Sequence, residues 1–232
     1  MIRKIESASM GKGNHGWLKS IFHFSFADYY NRQNMNFGVL RVLNDDLVKP
    51  NSGFDPHPHK DMEIISYIVK GELTHGDSMG NLSTLSRGDV QYMSAGSGVV
   101  HSEHNLGKEE LRFLQLWILP NEKQLLPAYG DHRFVESQRH NQWLQIVSSK
   151  AKDSPIKINQ DVLISVSEIE ASKSLSYHVS QNRQAYLVLI EGQAEINQQS
   201  LIERDALEIV EEEILIKATT PSHVLIIEMA KQ

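Results

Sequence analysis

Short strand signals separated by turn chemistry run along most of this chain, and that alternation restricts its fold more than any other feature. Residues 62–69 are rich in β-branched and aromatic side chains, as a strand favours. They end at Lys70-Gly71-Glu72, a turn from which residues 73–77 can pair back. Further strands are expected over 37–43, 90–93, 99–103 and 111–119, the last a nearly continuous apolar run buried on both faces. Turn residues punctuate them at Asn44-Asp45-Asp46, at 77–81, at Arg87-Gly88-Asp89 and at 96–98. Residues 13–30 are aromatic-rich without helical period and are expected to pack over the mouth or side of a sheet. Helical periodicity is weak everywhere, with short pieces expected only near 121–126. Strands of this length at this spacing specify an all-β sandwich or barrel.

The stretch 121–142 is polar and irregular, with Pro127, Gly130 and the charged Asp131-His132-Arg133, and reads as a linker. Strand signals resume at 143–148, 162–166, 174–179, 185–190, 194–197, 207–210, 213–218 and 224–229. Residues 67–73 and 189–194 echo each other, each an apolar strand that meets a glycine turn and reverses. Two tandem antiparallel barrels are therefore expected, one over residues 1–125 and one over 126–232. Both halves are expected to fold as a unit, so truncation near residue 125 should give insoluble protein.

Composition narrows the function. With 232 residues, 40% hydrophobic and 22% charged, the chain can bury a sizeable core. A net charge of −6 disfavours direct nucleic-acid binding, which is driven by phosphate neutralisation. No cysteine is present, so a metal site would have to use nitrogen and oxygen ligands. The N-terminus carries no apolar signal region, and no run of about 18 apolar residues suggests a membrane span. A cytoplasmic protein is expected.

Eleven histidines are scattered through the chain, but only His57 and His59 stand at i and i+2 with a His-x-acid pair, His101 and Glu103, downstream. Residues two apart on a strand point to the same face. If both segments are strands of one barrel, all four side chains can converge on its interior and form a metal site. Of the other histidines, His104 should face away, and the Gly-Asp flank of His75 suggests a turn. His15 and His23 are expected to pack against aromatic neighbours. Phe24, Phe26, Tyr29, Phe37, Met62 and Met93 could line a pocket, although core packing is the favoured explanation. Asp45 and Asp46 read as a turn cap, and Glu211-Glu212-Glu213 as a solvated turn. His178 and His223 are isolated, so residues 131–232 are expected to hold no metal.

Gly53-x3-His57-x-His59-x3-Glu63-x7-Gly71 resembles the first cupin motif, and Gly88 through Gly98-x2-His101-x3-Asn105 the second. The first Gly-to-His interval is shorter than usual, and Ser94 stands where proline is common. Those departures match the pirin branch. Its signature is visible as His15-Gly16-Trp17-Leu18, Phe24-Ser25-Phe26-Ala27-Asp28-Tyr29, Leu40-Arg41-Val42-Leu43-Asn44-Asp45-Asp46, His57-Pro58-His59-Lys60-Asp61-Met62-Glu63 and Met93-Ser94-Ala95-Gly96-Ser97-Gly98-Val99-Val100-His101-Ser102-Glu103. The match is similar to bacterial pirin-like quercetin 2,3-dioxygenases. The resemblance implies a bicupin fold, all-β, with the metal held in the N-terminal barrel by His57, His59, His101 and Glu103. Glu63 occupies the position of a carboxylate ligand in many other cupins and is the alternative to Glu103. Fe(II) is the expected ion, with Cu, Ni, Mn, Co or Zn also compatible with these donors. The implied activity opens the ring of a flavonoid such as quercetin with O2 and releases carbon monoxide, with Glu103 as general base. The family's alternative role is a metal-containing transcription cofactor that engages protein partners. A monomer is expected, because the two barrels already pair within one chain.

Overall fold

In a computed structural model, which describes residues 1–150 and 154–232, the strand-forming segments pair into four antiparallel sheets. Twenty-two strands are formed among the described residues. In chain order they are β1 (Ile2–Ile5), β2 (Gly11–Asn14), β3 (Leu18–Phe22), β4 (Leu40–Val48), β5 (Ser52–His59), β6 (Glu63–Lys70), β7 (Leu73–Asp77), β8 (Leu82–Leu85), β9 (Val90–Ser94), β10 (Val99–Asn105) and β11 (Leu111–Ile118). The series continues with β12 (Ala128–His132), β13 (Leu144–Ser149), β14 (Ile156–Ile158), β15 (Val162–Ile169), β16 (Ser174–His178), β17 (Arg183–Glu191), β18 (Gln193–Ile196), β19 (Gln199–Ile202), β20 (Ala206–Val210), β21 (Glu213–Ala218) and β22 (Ser222–Ala230). Helical structure among the described residues is confined to two 3-10 turns, Ser7–Ser9 and Glu136–Arg139. No helix among them is long and apolar enough to cross a membrane.

The chain divides into two units. One comprises Gly11–Phe134 with Ile158–Gln160, the other Met1–Met10, Val135–Lys157 and Asp161–Gln232. The expected division at 125/126 thus compares with one at 134/135, because residues 121–142 are not simply a linker. Ala128–His132 forms β12, which pairs antiparallel with β9. No helix forms over 121–126.

In the first unit a seven-stranded sheet has the order β12-β9-β6-β11-β4-β3-β2, and a four-stranded sheet the order β5-β10-β7-β8. Ile68, Leu111, Phe113, Val48 and Leu18 of the larger sheet pack with Leu73 and Leu85 of the smaller one, which places the core between the sheets. Part of the segment 13–30 is built into β2 and β3, which extend the larger sheet beyond β4, while His15, Trp17, Phe22 and Phe26 line a cavity of this unit. Asn44-Asp45-Asp46 does not make a turn, since β4 runs through all three to Val48. Tertiary partners override local turn preference here. Asp45 is held by buried Arg112 in a two-point ion pair, Nε–Oδ1 at 2.9 Å and Nη2–Oδ2 at 2.7 Å, and Asp46 accepts a hydrogen bond from Ser20 Oγ.

The second unit repeats the plan. Its sheets have the orders β1-β20-β17-β22-β15-β13-β14 and β16-β21-β18-β19. Leu187, Leu189, Val224 and Ile226 of the larger sheet pack with Ala194, Leu201, Ile214 and Ile216 of the smaller. The sequence echo now has a physical cause. Gly71 and Gly192 sit at equivalent turns where the chain leaves the larger sheet for the smaller, β6 to β7 and β17 to β18, at φ of +76° and +90°, a conformation that costs glycine little.

Candidate metal centre

Strand β5 pairs antiparallel with β10, setting His57 directly opposite His101 and His59 opposite Val99. This close approach depends on Gly53. A Cβ there would lie 2.4 Å from the Glu103 carbonyl oxygen and 2.5 Å from His104 Cα. The i, i+2 spacing puts His57 and His59 on one face. Ring centroids are 4.8 Å apart for His57 and His59, 4.5 Å for His57 and His101, and 4.9 Å for His59 and His101. One nitrogen from each can lie within 4.8 Å of the others.

The ladder register shifts between His101 and Glu103, so that Glu103 stands opposite Phe54. On its other edge β10 pairs with β7, where Glu103 faces His75 and His101 faces Asp77. His75, His101 and Glu103 form a second group of potential donors within 4.8 Å, sharing His101 with the first. The expected turn at His75 is not formed. The residue is fully buried in β7, its Nε2 is 3.1 Å from Asp77 Oδ2, and its ring stacks on Tyr129 at 4.5 Å. Its Gly-Asp flank concealed it, although the parity with His101 across the ladder was available.

Two of the imidazoles, His59 and His101, are held neutral. Burial, then the neighbouring His57 and His75 charges, push His101 down to about 3, against the opposing pull of Asp77. Burial, then His101 and His57, push His59 down to about 4, with Glu103 opposing. Both His101 nitrogens and His75 Nδ1 are buried without a hydrogen-bond partner. Leaving such groups unpaired costs about 1–3 kcal/mol each. Nδ1 of His57 bonds the Asp55 carbonyl oxygen at 2.8 Å, leaving Nε2 free. Neutral imidazoles whose lone pairs converge and meet no donor fit a divalent metal ion.

The two acidic candidates differ sharply. Glu103 is buried, and its Oε1 lies 2.8 Å from Ser66 Oγ and accepts from Gln91 Nε2 at 3.0 Å. Its Oε2 accepts from Gln115 Nε2 at 2.6 Å. Glu63 is saturated elsewhere. It accepts from Tyr92 OH at 2.9 Å, Ser94 Oγ at 2.7 Å, the Asn159 backbone N–H at 2.9 Å and Asn159 Nδ2 at 3.1 Å. It belongs to neither donor group. Burial and the Glu63 charge raise the Tyr92 phenol, which stays protonated as the donor.

A cavity of ≈ 440 Å³ reaches His57, His59 and Glu103 and is walled by Trp17, Phe22, Phe26, Phe54 and Trp117. Trp17 meets Phe54 edge-on at 5.2 Å, and Trp117 meets Phe26 at 5.4 Å and His59 at 4.9 Å. Of the apolar residues considered for a pocket, only Phe26 lines this one. Phe24 and Met93 are core. His15 sits exposed among the lining residues, whereas His23 is buried and pushed down to about 4 by that burial. His104 is turned away, with Nε2 3.2 Å from Asp55 Oδ1. In the second unit His178 is exposed, and buried His223 contacts Glu191 at 3.2 Å.

Residues 4–118 match the family model for pirin. A Caulobacter vibrioides chain named as a pirin-like protein is 40% identical over 216 residues, covering 93% of this chain and 93% of its own. This chain belongs to the pirin family. Residues 145–229 of the pirin match a second model, the quercetinase C-terminal cupin domain, so both units are cupins, as the sequence led us to expect. The pirin is 36% identical over 231 residues to quercetin 2,3-dioxygenase of Escherichia coli K12, 99% of each chain being covered. It superposes on a crystal structure of a bacterial pirin from Escherichia coli in complex with nickel(II) with a TM-score of 0.93, at 35% identity over 100% of both chains.

Proposed function

We propose that this pirin is a metal-dependent dioxygenase that opens the flavonol ring of quercetin or a related flavonoid, consuming O2 and releasing carbon monoxide. The observation that carries the reading is the aromatic cavity ending at His57, His59 and Glu103. A wet or charged opening would suit a flat, polyphenolic ring system poorly, and an aromatic slot suits it well. The names of relatives such as the Escherichia coli enzyme support the same reading.

His57, His59, His101 and Glu103 would hold the ion. Imidazole and carboxylate donors suit Fe(II), our proposed metal, and also Cu, Ni, Mn, Co and Zn. When bound, such an ion supplies Lewis acidity that favours ionisation of a hydroxyl group. Trp17, Phe54 and Trp117 clamp the flavonoid rings and exclude water from the reacting carbon atoms. Glu103 accepts the proton of the 3-hydroxyl, acting as general base. Gln91, Gln115 and Ser66 fix its carboxylate at the cavity wall while leaving one lone pair of Oε2 free. Loss of that proton makes the flavonol electron-rich toward O2.

The test is gas analysis over metal-loaded protein supplied with quercetin in aerated buffer. One carbon monoxide per flavonol consumed is expected, with Glu103→Gln slowing turnover by about 10²-fold or more. Full turnover by Glu103→Gln would remove the base assignment. A metal-loaded protein that releases no carbon monoxide from any flavonol would overturn the dioxygenase reading and favour the family's other role, a metal-containing cofactor of transcription.

A further inference from the structure

Two side chains in the cavity play no part in the chemistry above. Asn44 and Asp46 stand at i and i+2 on β4, so they share a face, and both line the cavity. Both are almost fully buried, 4% and 3% exposed. Asn44 Oδ1 meets no hydrogen-bond donor. Asp46 Oδ1 accepts from Ser20 Oγ. Across the ladder from Asn44 stands Gln115, whose Nε2 donates to Glu103. A free acceptor, Asn44 Oδ1, therefore sits one side chain away from the proposed base, with the Asp46 carboxyl on the same face of β4, in a cavity walled largely by Trp17, Phe22, Phe26, Phe54 and Trp117.

A buried acceptor without a donor is costly, and a ligand that supplies the donor recovers the cost. A site built this way rejects an analogue that lacks the hydroxyl far more strongly than an apolar pocket rejects a change of shape. Burial first, then the charges of Asp45 and Glu103, push the Asp46 carboxyl up to about 7, with Ser20 opposing. Near neutrality it can accept or donate. We infer that Asn44 and Asp46 are specificity-determining residues that bind a second hydroxyl of the substrate, so that the pocket selects polyhydroxylated flavonols over a flavonol bearing the 3-hydroxyl alone. The inference rests on the flavonol reading above.

Its test is anaerobic binding to the metal-loaded full-length protein, followed by quenching of tryptophan fluorescence, since Trp17 and Trp117 line the cavity. The ligands are quercetin and 3-hydroxyflavone, which keeps only the 3-hydroxyl. Wild type should prefer quercetin by about tenfold or more. Asn44→Leu should erase most of that preference while binding 3-hydroxyflavone at least as tightly. Asn44→Asp, which keeps an acceptor, should retain the preference. Asp46→Asn, which keeps an acceptor for Ser20 and presents an amide to the cavity, should lower it. Equal affinity of wild type for both ligands overturns the inference, and so does weakening of both ligands alike by Asn44→Leu or Asp46→Asn. If wild type binds neither flavonol, the dioxygenase reading falls and this inference with it. Binding without discrimination removes the inference alone.

Discussion

His57 and His101 face each other across the β5–β10 ladder, their ring centroids 4.5 Å apart. Further along the same ladder the two backbones meet closely at Gly53, where a Cβ would press on the Glu103 carbonyl. The ladder, rather than a loop, fixes the donor geometry, and rigid elements hold metal sites more tightly than loops do. Gly53→Ala should therefore weaken metal binding by about tenfold or more, although no ligand is changed. The check is metal competition with a chelator, on protein shown by circular dichroism to be folded. Unchanged affinity would mean that β5 can shift without disturbing the histidines.

Glu63 is the acidic residue of the His-x-His segment, yet its partners are Tyr92, Ser94 and Asn159. It ties the short segment Ile158–Gln160 to β6 and β9 of the same unit. Glu63→Ala leaves several buried donors unpaired and should cost about 3–5 kcal/mol of stability. Metal stoichiometry in the surviving folded fraction should stay unchanged. Denaturant unfolding and elemental analysis of the same preparation separate these outcomes, and loss of metal with intact stability would restore Glu63 as a ligand.

The Arg112–Asp45 pair is buried and joined at two points. Removing one partner takes this two-point contact from a buried charge, so Asp45→Ala should destabilise by about 3–5 kcal/mol, while replacing both residues by apolar ones should cost much less. A double-mutant cycle in denaturant measures the difference. A small effect of Asp45→Ala would show that water reaches Arg112.

Asp46 sets a pH dependence of stability. Its carboxyl is raised from 3.8 to about 7, mainly by burial. As pH climbs through this window the unfolded chain releases the proton first, so stability is fully present at the acid end and falls until about pH 7. The slope reaches about 1.4 kcal/mol per pH unit for this one group. Asp46→Asn cannot titrate there. Its Tm relative to wild type should rise between about pH 4 and about pH 8, as followed by thermal unfolding of the metal-free proteins. A flat difference would mean that Asp46 is ionised in the folded protein throughout.

Much of the fold was legible because β-branched runs ending in glycine are local signals, as at Tyr67–Gly71 and Leu189–Gly192. The convergence of His57, His59 and His101 was legible from parity alone. What escaped depends on partners distant in sequence. Asn44-Asp45-Asp46 has turn chemistry, but Arg112 and Ser20 hold it in a strand. His75 looks like a turn residue, but pairing with β10 draws it beside His101. The aromatic walls, Trp17, Phe54 and Trp117, come from three separate strands or turns, and nothing in their spacing assigns them to one cavity. Asn159 lies far from Glu63 in the chain, and only folding reveals it as a donor.

The most direct test of the central claim measures metal content and quercetin consumption on the same preparations of wild type and His57→Ala, in aerated and oxygen-free buffer. The account predicts about one metal ion per wild-type chain and bleaching of quercetin only when oxygen is present, with both lost in His57→Ala. Stoichiometric metal and undiminished turnover in His57→Ala would contradict it, because the ion and the chemistry would then lie elsewhere than between β5 and β10.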